Sequence, residues 1–531
     1  MSDCNIGTRK NKTIKNHLVI VYAVINYVLK SNSTCVDIHI YDLVKAFDVL
    51  WLEDSFNDLW DTIPEKVRND KLSLLYQTCV TNLVAVNTSV GQTERVNIPK
   101  IITQGGTWGP ILCSNSIDKI GKYAIEKGQS FKYKSLVDVI PLGMVDDILS
   151  ISKCGFSSVE MNISINTQIE LKKMQFHVPT GEKKGKCQSL HVGKVSEFCH
   201  GMKVHGKQAE RVTETQYLGD ILRADGKNVS NIKSRVGKGI GLISDIMSIL
   251  KCVSFGSHYF EIAKVLREAR LINGILTNAE IWYSLGISEI ESLEKIDRMF
   301  LRQVFAVPQS VSWESLYLEL GVIPLKVVLM SRRISYLHYL SRLDKNEMLY
   351  RVFSAQWKYP VKGDWTLEVK QNMCEFEITM NLEEMSSKSK LSFKRLLREK
   401  TREYALKKLL EAKEKHSKMS NLHYKELKTQ NYLKDPNISV EEAKNIFAYR
   451  TRMAEFKENF KGKYSNHLCV LCSTSNDTQE HSFSCREVTA RVKLDEEYKD
   501  IFKKNISRNL SKSLLAITKL REKYLVPFVG P

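Results

Sequence analysis

Two adjacent aspartates, Asp146 and Asp147, interrupt an otherwise apolar stretch, PLGMVDDILSIS, at residues 141–152. Two carboxylates side by side repel one another, and an apolar strand does not bury them without a compensating positive group. The stretch contains no lysine or arginine that could supply that charge. The pair therefore predicts either a polar hairpin turn or a site that binds cations.

A third carboxylate follows a strand pattern earlier in the chain. In VDIHIYD, the apolar residues Val36, Ile38 and Ile40 alternate with polar ones, which predicts a half-buried strand that ends at Asp42. Mg²⁺ prefers hard oxygen ligands in near-octahedral geometry, and two such ions about 3.5–4 Å apart can activate a hydroxyl and stabilise a leaving pyrophosphate. Asp42 on a strand next to the aspartate pair would complete a ligand set for two Mg²⁺ ions.

Composition narrows the class of protein. A chain of 531 residues with 43% hydrophobic content builds several domains with their own cores, so disorder is a poor description. Its net charge of +19 favours a polyanionic partner, nucleic acid before an anionic membrane. The apolar run from His17 has about 13 residues, fewer than the roughly 20 that span a bilayer, so we predict a buried helix and no membrane partner.

The 12 cysteines are scattered, mostly singly within apolar segments. This usage is typical of a reducing compartment, and we predict an intracellular protein, with nucleus and cytoplasm both left open.

The order of elements predicts the fold class. Residues 83–98 are typical of a hairpin around Gly91, and the segment after them is typical of a helix with Pro110 in its first turn. The Asp-Asp hairpin follows, and from residue 229 the pattern becomes helical. Strands interleaved with helices in this way predict an α+β fold with an antiparallel sheet.

Residues 388–418 predict a basic helix. The segment holds twelve Lys or Arg against four Glu, with Leu396, Leu397, Leu409 and Leu410 at helical spacing. Such a helix has one face that packs against the protein and one that is strongly positive. The positive face is either a phosphate-binding surface or a solvated face. The predicted nucleic-acid-binding residues are Lys394, Arg395, Arg398, Arg402, Lys407 and Lys408.

Near the end of the chain, CVLCSTSNDTQEHSFSC has the spacing C-x2-C-x8-H-x3-C. Three thiolates and one imidazole suit structural, tetrahedral Zn²⁺, so Cys469, Cys472, His481 and Cys485 are predicted zinc ligands. The alternative is four unrelated residues with buried thiols.

Five segments in order resemble motifs of the reverse transcriptases of non-LTR (LINE-like) retrotransposons. They are YDLVKAFDVL, TQGGTWGPILCSN, GMVDDI, KGKCQSLHVG and QYLGDIL, and the cysteine array resembles the C-terminal zinc module of the same polyproteins. The resemblance begins just before the first aspartate motif, so we expect the family's fingers strands to be missing.

The resemblance implies roles for individual residues. Asp42, Asp146 and Asp147 would be the catalytic triad that binds two Mg²⁺ ions, and QYLGDIL would form the primer-grip hairpin. The implied nucleotide-binding residues are Phe47, Gln104, Gly105 and Lys186, with Lys183 and Lys184 near enough to leave the choice of lysine open. Phe47 has an alternative as a core aromatic.

The resemblance also implies a domain order and an activity. A polymerase palm with residual fingers would occupy residues 1–205, and a primer-grip hairpin and helical thumb residues 206–345. A basic helical linker at 346–460 and a zinc module with a helical tail at 461–531 would follow. The implied activity is RNA-directed DNA polymerisation, which extends a DNA primer on an RNA template with deoxynucleoside triphosphates. The alternative is a catalytically inactive, retrotransposon-derived nucleic-acid-binding protein.

Overall fold

The computed structural model describes residues 5–7, 9–31, 34–61, 63–70, 73–74, 77, 83–97, 109–172, 174–176, 186–194, 201–253 and 256–525. The chain divides into two compact units. The first contains residues 1–230, 281–284 and 339–370, and the second contains residues 231–280, 285–338 and 371–531. The boundaries of the four predicted domains stay a prediction.

The strands all lie in the first unit. They are β1 Val36–Tyr41, β2 Leu83–Val84, β3 Asn87–Thr88, β4 Gly91–Gln92, β5 Val96–Asn97, β6 Phe131–Tyr133, β7 Val137–Val139, β8 Leu142–Met144, β9 Asp147–Lys153, β10 Gln188–Val192, β11 Lys203–Val204, β12 Lys207–Gln208, β13 Glu210–Val212, β14 Glu214–Tyr217 and β15 Asp220–Arg223.

Helices occur in both units. They are α1 Ile14–Lys30, α2 Ala46–Val49, α3 Leu52–Trp60, α4 Gly109–Glu126, α5 Phe156–Leu171, α6 Val229–Lys251, α7 Gly256–Leu266, α8 Asn273–Ile275, α9 Ile287–Phe305, α10 Trp313–Leu320, α11 Leu325–Ser341, α12 Met348–Lys358, α13 Trp365–Glu375, α14 Leu382–Ser387, α15 Lys390–Lys413, α16 Val440–Arg450, α17 Gln479–Ser484, α18 Arg486–Thr489 and α19 Arg508–Glu522. A π-helical turn, Arg267–Ile272, joins α7 to α8, and 3₁₀ turns lie at Glu65–Val67, Ala279–Ile281, Ser417–Met419, Asn431–Leu433, Lys457–Lys463 and Tyr498–Phe502.

The main sheet has five strands in the order β13-β10-β1-β9-β8. Its pairs are antiparallel except for β13, which runs parallel to β10 at one edge. The predicted α+β class with a small antiparallel sheet and many helices is thus confirmed, and the one parallel pair is an addition to it.

The prediction of a half-buried first strand was wrong. All six residues of β1 are buried. The reason is that β1 lies between β9 and β10, and its polar face is covered by α5, where His39 Nε2 lies 2.9 Å from Ser158 Oγ and the Tyr41 hydroxyl donates to Asn162 Oδ1. The alternating polar residues pack against polar partners on a helix, so the period-two pattern does not indicate solvent here.

Other local predictions are confirmed. The run from His17 forms the buried helix α1, and α4 begins at Gly109 with Pro110 in its first turn. The hairpin predicted at 83–98 is present in its described residues, 83–97, with Gly91 as the first residue of the returning strand. Among the described helices, none has both the length and the apolar content that crossing a membrane requires.

One apolar cluster of the first unit packs beneath the ends of β1 and β9. It includes Tyr41 and Ile148 from the sheet, Leu112 from α4 and Ile165 from α5. Because both helices pack on the face that carries Tyr41 and Ile148, the residues immediately beyond these strand ends are held on a rigid base.

The second unit is helical, and some of its ion pairs are buried among the helices. Arg267 donates two hydrogen bonds to Asp297, at 2.7 and 2.6 Å. Arg450 donates to both carboxylate oxygens of Glu319, which also accepts from the Tyr432 hydroxyl. All four charged side chains are at most 5% exposed, so each carboxylate depends on its arginine for compensation.

Candidate functional site

The three predicted aspartates meet at one end of the main sheet. The antiparallel pairing of β1 with β9 ends with Tyr41 opposite Ile148, and Asp42 and Asp147 are the residues next to that last pair. Asp146 precedes Asp147 in the turn that joins β8 to β9. Strand register therefore brings together carboxylates that lie over one hundred residues apart in the chain.

The turn between β8 and β9 contains a strained residue. Val145 has a φ of +61°, in the left-handed region that β-branched residues rarely adopt. The side chain of Asn5 holds this residue on both sides, since Asn5 Nδ2 donates to the Val145 carbonyl at 3.0 Å and Asn5 Oδ1 accepts from the Val145 N–H at 3.2 Å. The backbone of the aspartate turn is thus fixed from outside the hairpin.

The segment that carries Asn5 is itself anchored to the first unit. The Asn5 N–H donates to Asp118 Oδ1 at 3.2 Å, and the Ile6 N–H donates to the Gly143 carbonyl at 3.1 Å. Sequence reasoning missed Asn5 and Asp118. Neither belongs to a motif, and Asn5 lies 140 residues before Val145, so no local spacing signals the contact.

The two adjacent aspartates have raised pKa values. Burial, and then the charges of Asp146 and Asp42, raise the pKa of Asp147 to about 6. Burial is also the largest cause of a raised pKa at Asp146. Lys186 opposes both shifts, and its Nζ lies 3.5 Å from Asp42 Oδ2. The site holds more negative charge than one lysine compensates, which is the electrostatic condition that favours bound cations.

The donor set suits Mg²⁺ in kind, because all three ligands are carboxylate oxygens. Among the described residues, two groups of three or more His, Cys, Asp or Glu have ligand atoms that all lie within 4.8 Å of one another, and the three aspartates do not form such a group. Binding of metal ions would therefore require the carboxylates to move closer together than they are here.

The predicted nucleotide-binding residues fall partly outside the described structure. Gln104 and Gly105 lie outside the described residues, as do Lys183 and Lys184. Phe47 lies on α2, half-buried against the apolar cluster of the first unit. The position of Phe47 suits a core aromatic, and its predicted contact with a sugar stays a prediction.

The segment QYLGDIL forms a hairpin between β14 and β15, as predicted. Its two central residues, Leu218 and Gly219, both have positive φ, at 47° and 81°, which is the backbone of a tight two-residue hairpin turn. Asp220 is fully buried and accepts from the Tyr22 hydroxyl at 3.0 Å and from Trp282 Nε1 at 2.8 Å. These bonds anchor the hairpin, and its role as a primer grip stays a prediction.

The four predicted zinc ligands form one cluster in the second unit. One ligand atom each from Cys469, Cys472, His481 and Cys485 lies within 4.8 Å of all the others. Cys472 Sγ is 3.2 Å from His481 Nε2. Tetrahedral Zn²⁺ with bonds of about 2.0 Å to nitrogen and about 2.3 Å to sulfur places its ligand atoms about 3.5 Å apart. The Cys₃His cluster fits zinc in ligand type, number and spacing.

Local structure explains why these residues converge. The chain reverses after Cys469, whose N–H donates to the Ser475 carbonyl at 2.8 Å, with Ser473 in a left-handed conformation. Thr478 then caps α17 by accepting from the His481 N–H at 2.9 Å, and Cys485 ends that helix. A tight turn and a two-turn helix thus present all four side chains to one point.

Hydrogen bonding lowers the pKa of one thiol in the cluster. Although burial opposes it, hydrogen bonds from Thr474, His481 and Cys469 lower the pKa of Cys472 to about 6. Burial raises the pKa of Cys469 to about 11. Zinc binds thiolates, so the cluster already contains one ligand in the required state near neutral pH.

A buried ion pair supports the cluster from behind. Asp477, between the turn and α17, accepts two hydrogen bonds from Arg521, at 2.6 and 2.7 Å, and one from the Lys457 N–H at 2.9 Å. Arg521 lies on α19, and its guanidinium stacks 3.9 Å from the Phe456 ring centroid. The Asp477–Arg521 ion pair therefore links the segment that carries the cluster to α19.

The predicted basic helix is α15, which is shorter than residues 388–418. It begins after Ser389, which accepts a capping bond from Ser392, and it ends at Lys413. Its buried stripe is Phe393, Leu397, Thr401, Ala405 and Leu409, whereas the predicted packing residues Leu396 and Leu410 are half-buried. The six predicted nucleic-acid-binding residues Lys394, Arg395, Arg398, Arg402, Lys407 and Lys408 are all exposed.

The chain is thus an α+β protein with a cluster of three aspartates at one sheet end and a Cys₃His cluster. No protein-family model matches it, and no curated protein matches it. Among solved structures, it is similar to apo telomerase from Candida tropicalis at 12% identity and a TM-score of 0.31. That similarity covers 66% of this chain and 58% of the telomerase chain, so this chain spans less than two thirds of its length. At this score the similarity identifies neither a family nor an activity.

Proposed function

We propose that this chain is an RNA-directed DNA polymerase of the non-LTR retrotransposon type. The observation that supports the proposal is the pairing of β1 with β9, which ends at Tyr41 and Ile148, the neighbours of Asp42 and Asp147, with Asp146 in the adjoining turn. Burial and neighbouring carboxylates raise the pKa of Asp146 and Asp147, and bound cations would relieve the repulsion among the three aspartates.

The proposed roles of the residues follow from their positions. Asp42, Asp146 and Asp147 would hold two Mg²⁺ ions, which supply charge neutralisation at the attacking and leaving oxygens of phosphoryl transfer. Lys186, exposed and 3.5 Å from Asp42, would donate a proton or a hydrogen bond to the leaving pyrophosphate. Phe47, Gln104 and Gly105 would contact the incoming nucleotide, as the family resemblance implies.

The remaining features suit a nucleic-acid substrate. The exposed cations of α15 would contact phosphates without reading sequence, which makes binding depend on salt. The Cys₃His cluster would bind one structural Zn²⁺ and so hold the turn and α17 as a compact module. The proposed partners are therefore an RNA template, a DNA primer and deoxynucleoside triphosphates.

A second function has a specific observation in its favour. The ligand atoms of the three aspartates are not all within 4.8 Å of one another, unlike those of the cysteine cluster. A chain that kept the fold but could not gather the aspartates around metal would be a catalytically inactive nucleic-acid-binding protein derived from such a polymerase.

Primer extension on an RNA template distinguishes the two. The full-length chain, Asp146→Asn and the control Asp138→Asn are incubated with a DNA primer annealed to RNA, deoxynucleoside triphosphates and Mg²⁺. Asp138 is the matched control, because it lies on β7 and contacts Ser130 and Lys132. A polymerase extends the primer in the parent and in Asp138→Asn, and extension falls to background in Asp146→Asn.

The same proteins are tested for RNA binding over a range of salt concentrations. If none of them extends the primer while all three bind RNA with the same steep salt dependence, the polymerase proposal fails and the binding protein is the correct alternative.

A further inference from the structure

The main sheet contains a second cluster of metal-binding side chains that the proposed polymerase chemistry does not use. Asp37 lies on β1, Cys154 directly follows β9, and His191 lies on β10, so each of three adjacent strands supplies one. Their ligand atoms all lie within 4.8 Å of one another. Asp37 and His191 have side chains only 4% and 7% exposed.

The three side chains contact one another directly. His191 Nδ1 lies 2.9 Å from Asp37 Oδ1 and 3.4 Å from Cys154 Sγ. A ring nitrogen, a carboxylate oxygen and a thiol sulfur thus lie close enough together to share one ion.

The other ring nitrogen has a partner that suits a metal-bound histidine. His191 Nε2 lies 3.4 Å from the Lys194 carbonyl. In the tautomer in which Nε2 donates to that carbonyl, the Nδ1 lone pair faces Asp37 and Cys154 and can bind a cation beside them. A histidine that binds metal through one nitrogen usually donates from the other to a carbonyl or carboxylate.

The Asp37 carboxylate has a second oxygen, which its contact with His191 does not use. Asp37 Oδ2 is buried and has no hydrogen-bond partner among the described residues. Ser152 lies directly opposite Asp37 on β9, and its buried Oγ also has no partner among the described residues. An unpartnered carboxylate oxygen in a sheet interior is costly, and coordination of a metal ion removes that cost.

We propose that Asp37, Cys154 and His191 bind a zinc ion that ties β1, β9 and β10 together. A carboxylate, a thiolate and an imidazole are ligands that Zn²⁺ accepts in tetrahedral geometry, with water in the fourth position. The site lies five residues before Asp42 on β1, about 16 Å along an extended strand, so it is separate from the aspartate cluster. It does not depend on the proposed polymerase activity.

Zinc content per chain tests the site. The full-length protein and its variants are purified with zinc in the medium, dialysed, and measured by inductively coupled plasma mass spectrometry. The parent and the control Cys252→Ser, an exposed cysteine at the end of α6, should contain two zinc ions per chain. Cys154→Ser should lose one ion and Cys485→Ser the other. Equal zinc content in Cys154→Ser and the parent overturns the proposal.

A second measurement keeps the proposal falsifiable if Cys154→Ser does not fold. In a Cys469→Ser, Cys472→Ser, Cys485→Ser background, added Co²⁺ should give a thiolate charge-transfer band in the near ultraviolet. Asp37→Asn, which keeps a hydrogen-bonding side chain but removes the charge, should weaken Co²⁺ binding at least tenfold. A background protein that shows no thiolate band with Co²⁺ overturns the proposal as well.

Discussion

The side-chain amide of Asn5 bonds to both the N–H and the C=O of Val145, 140 residues further along the chain. Val145 has the left-handed backbone that β-branched residues disfavour, and it directly precedes the two aspartates of the β8–β9 turn. Local strain of this kind persists only where surrounding structure imposes it. Asn5 is therefore a positioning residue for the aspartate turn.

Removal of the Asn5 amide should destabilise the turn in a way that depends on Val145. Asn5→Ala should lower the free energy of unfolding by about 1–3 kcal/mol, because two backbone groups of Val145 lose their partner. Glycine adopts a positive φ without strain, so Asn5→Ala should cost less in a Val145→Gly background. Urea denaturation of the four proteins of this cycle measures the difference.

The control for this cycle is Asn87→Ala, on the exposed β3–β4 hairpin, which should change stability by no more than about 0.5 kcal/mol. Additive effects of Asn5→Ala and Val145→Gly would show that the amide does not support the strained backbone.

Stability should depend on pH through Asp147. Burial, then Asp146 and Asp42, raise its pKa to about 6, so the folded state holds a proton that the unfolded state has already lost. The stability contributed by this group is present below about pH 4 and is lost as pH rises through about 6. Mg²⁺ binds the ionised carboxylates, so the increase in Tm that Mg²⁺ causes should grow over the same window.

Thermal unfolding with and without Mg²⁺, at several values between about pH 4 and about pH 7, measures this effect. Asp147→Asn should flatten the pH dependence. An increase in Tm on adding Mg²⁺ that is the same at every pH would contradict a role for these carboxylates in binding the ion.

The ion pair behind the Cys₃His cluster should matter far more than a surface pair nearby. Asp477→Asn leaves Arg521 buried without its partner, which should lower the free energy of unfolding by about 3–5 kcal/mol. Glu480→Gln removes an exposed pair with Arg452 and should cost less than about 1 kcal/mol. Urea denaturation measures both, and equal costs would show that the buried pair does not brace the module.

Removal of zinc should unfold the Cys₃His module before the rest of the chain. Three thiolates and an imidazole bound to Zn²⁺ contribute folding free energy directly, and protonation of Cys472 below its pKa of about 6 competes with the metal. A chelator should therefore remove zinc more readily at about pH 5 than at about pH 8. Protection of α17 amides in hydrogen exchange, with and without chelator, measures the loss, and unchanged protection would contradict a structural zinc.

The exposed arginines of α15 should set the salt dependence of RNA binding. Changing Arg395, Arg398 and Arg402 to Gln should reduce the slope of log affinity against log salt by about 0.7 for each lost contact with a single-stranded phosphate. Fluorescence anisotropy with a labelled RNA over a salt series measures the slope.

The matched control replaces three exposed lysines that are already paired with acids, Lys493, Lys499 and Lys503. This triple Gln variant should keep the slope of the parent. An α15 variant that also keeps it would show that the helix is a solvated face.

Local features of this protein could be predicted from the sequence. The zinc ligands lie within 17 residues, so a turn and a short helix suffice to bring them together. The hairpin around Gly91, the helix that starts near Pro110 and the buried helix from His17 follow from turn chemistry and apolar periodicity, and all are present. In each case the interaction that decides the structure lies within a few turns of the chain.

Tertiary structure alone decided the rest. The sequence determined that Asp42 ends a strand and that Asp146 and Asp147 lie near a strand end, but the register of β1 with β9 decided that they meet. The packing of α5 on the sheet buried the polar face of β1. The pairing of β1 with β9 also brought Cys154 close to Asp37. The two hydrogen bonds between Asn5 and Val145 likewise depend on the packing of the sheet and helices. Contacts between residues so far apart depend on which strands pair and what covers them, and no local pattern in the sequence encodes that choice.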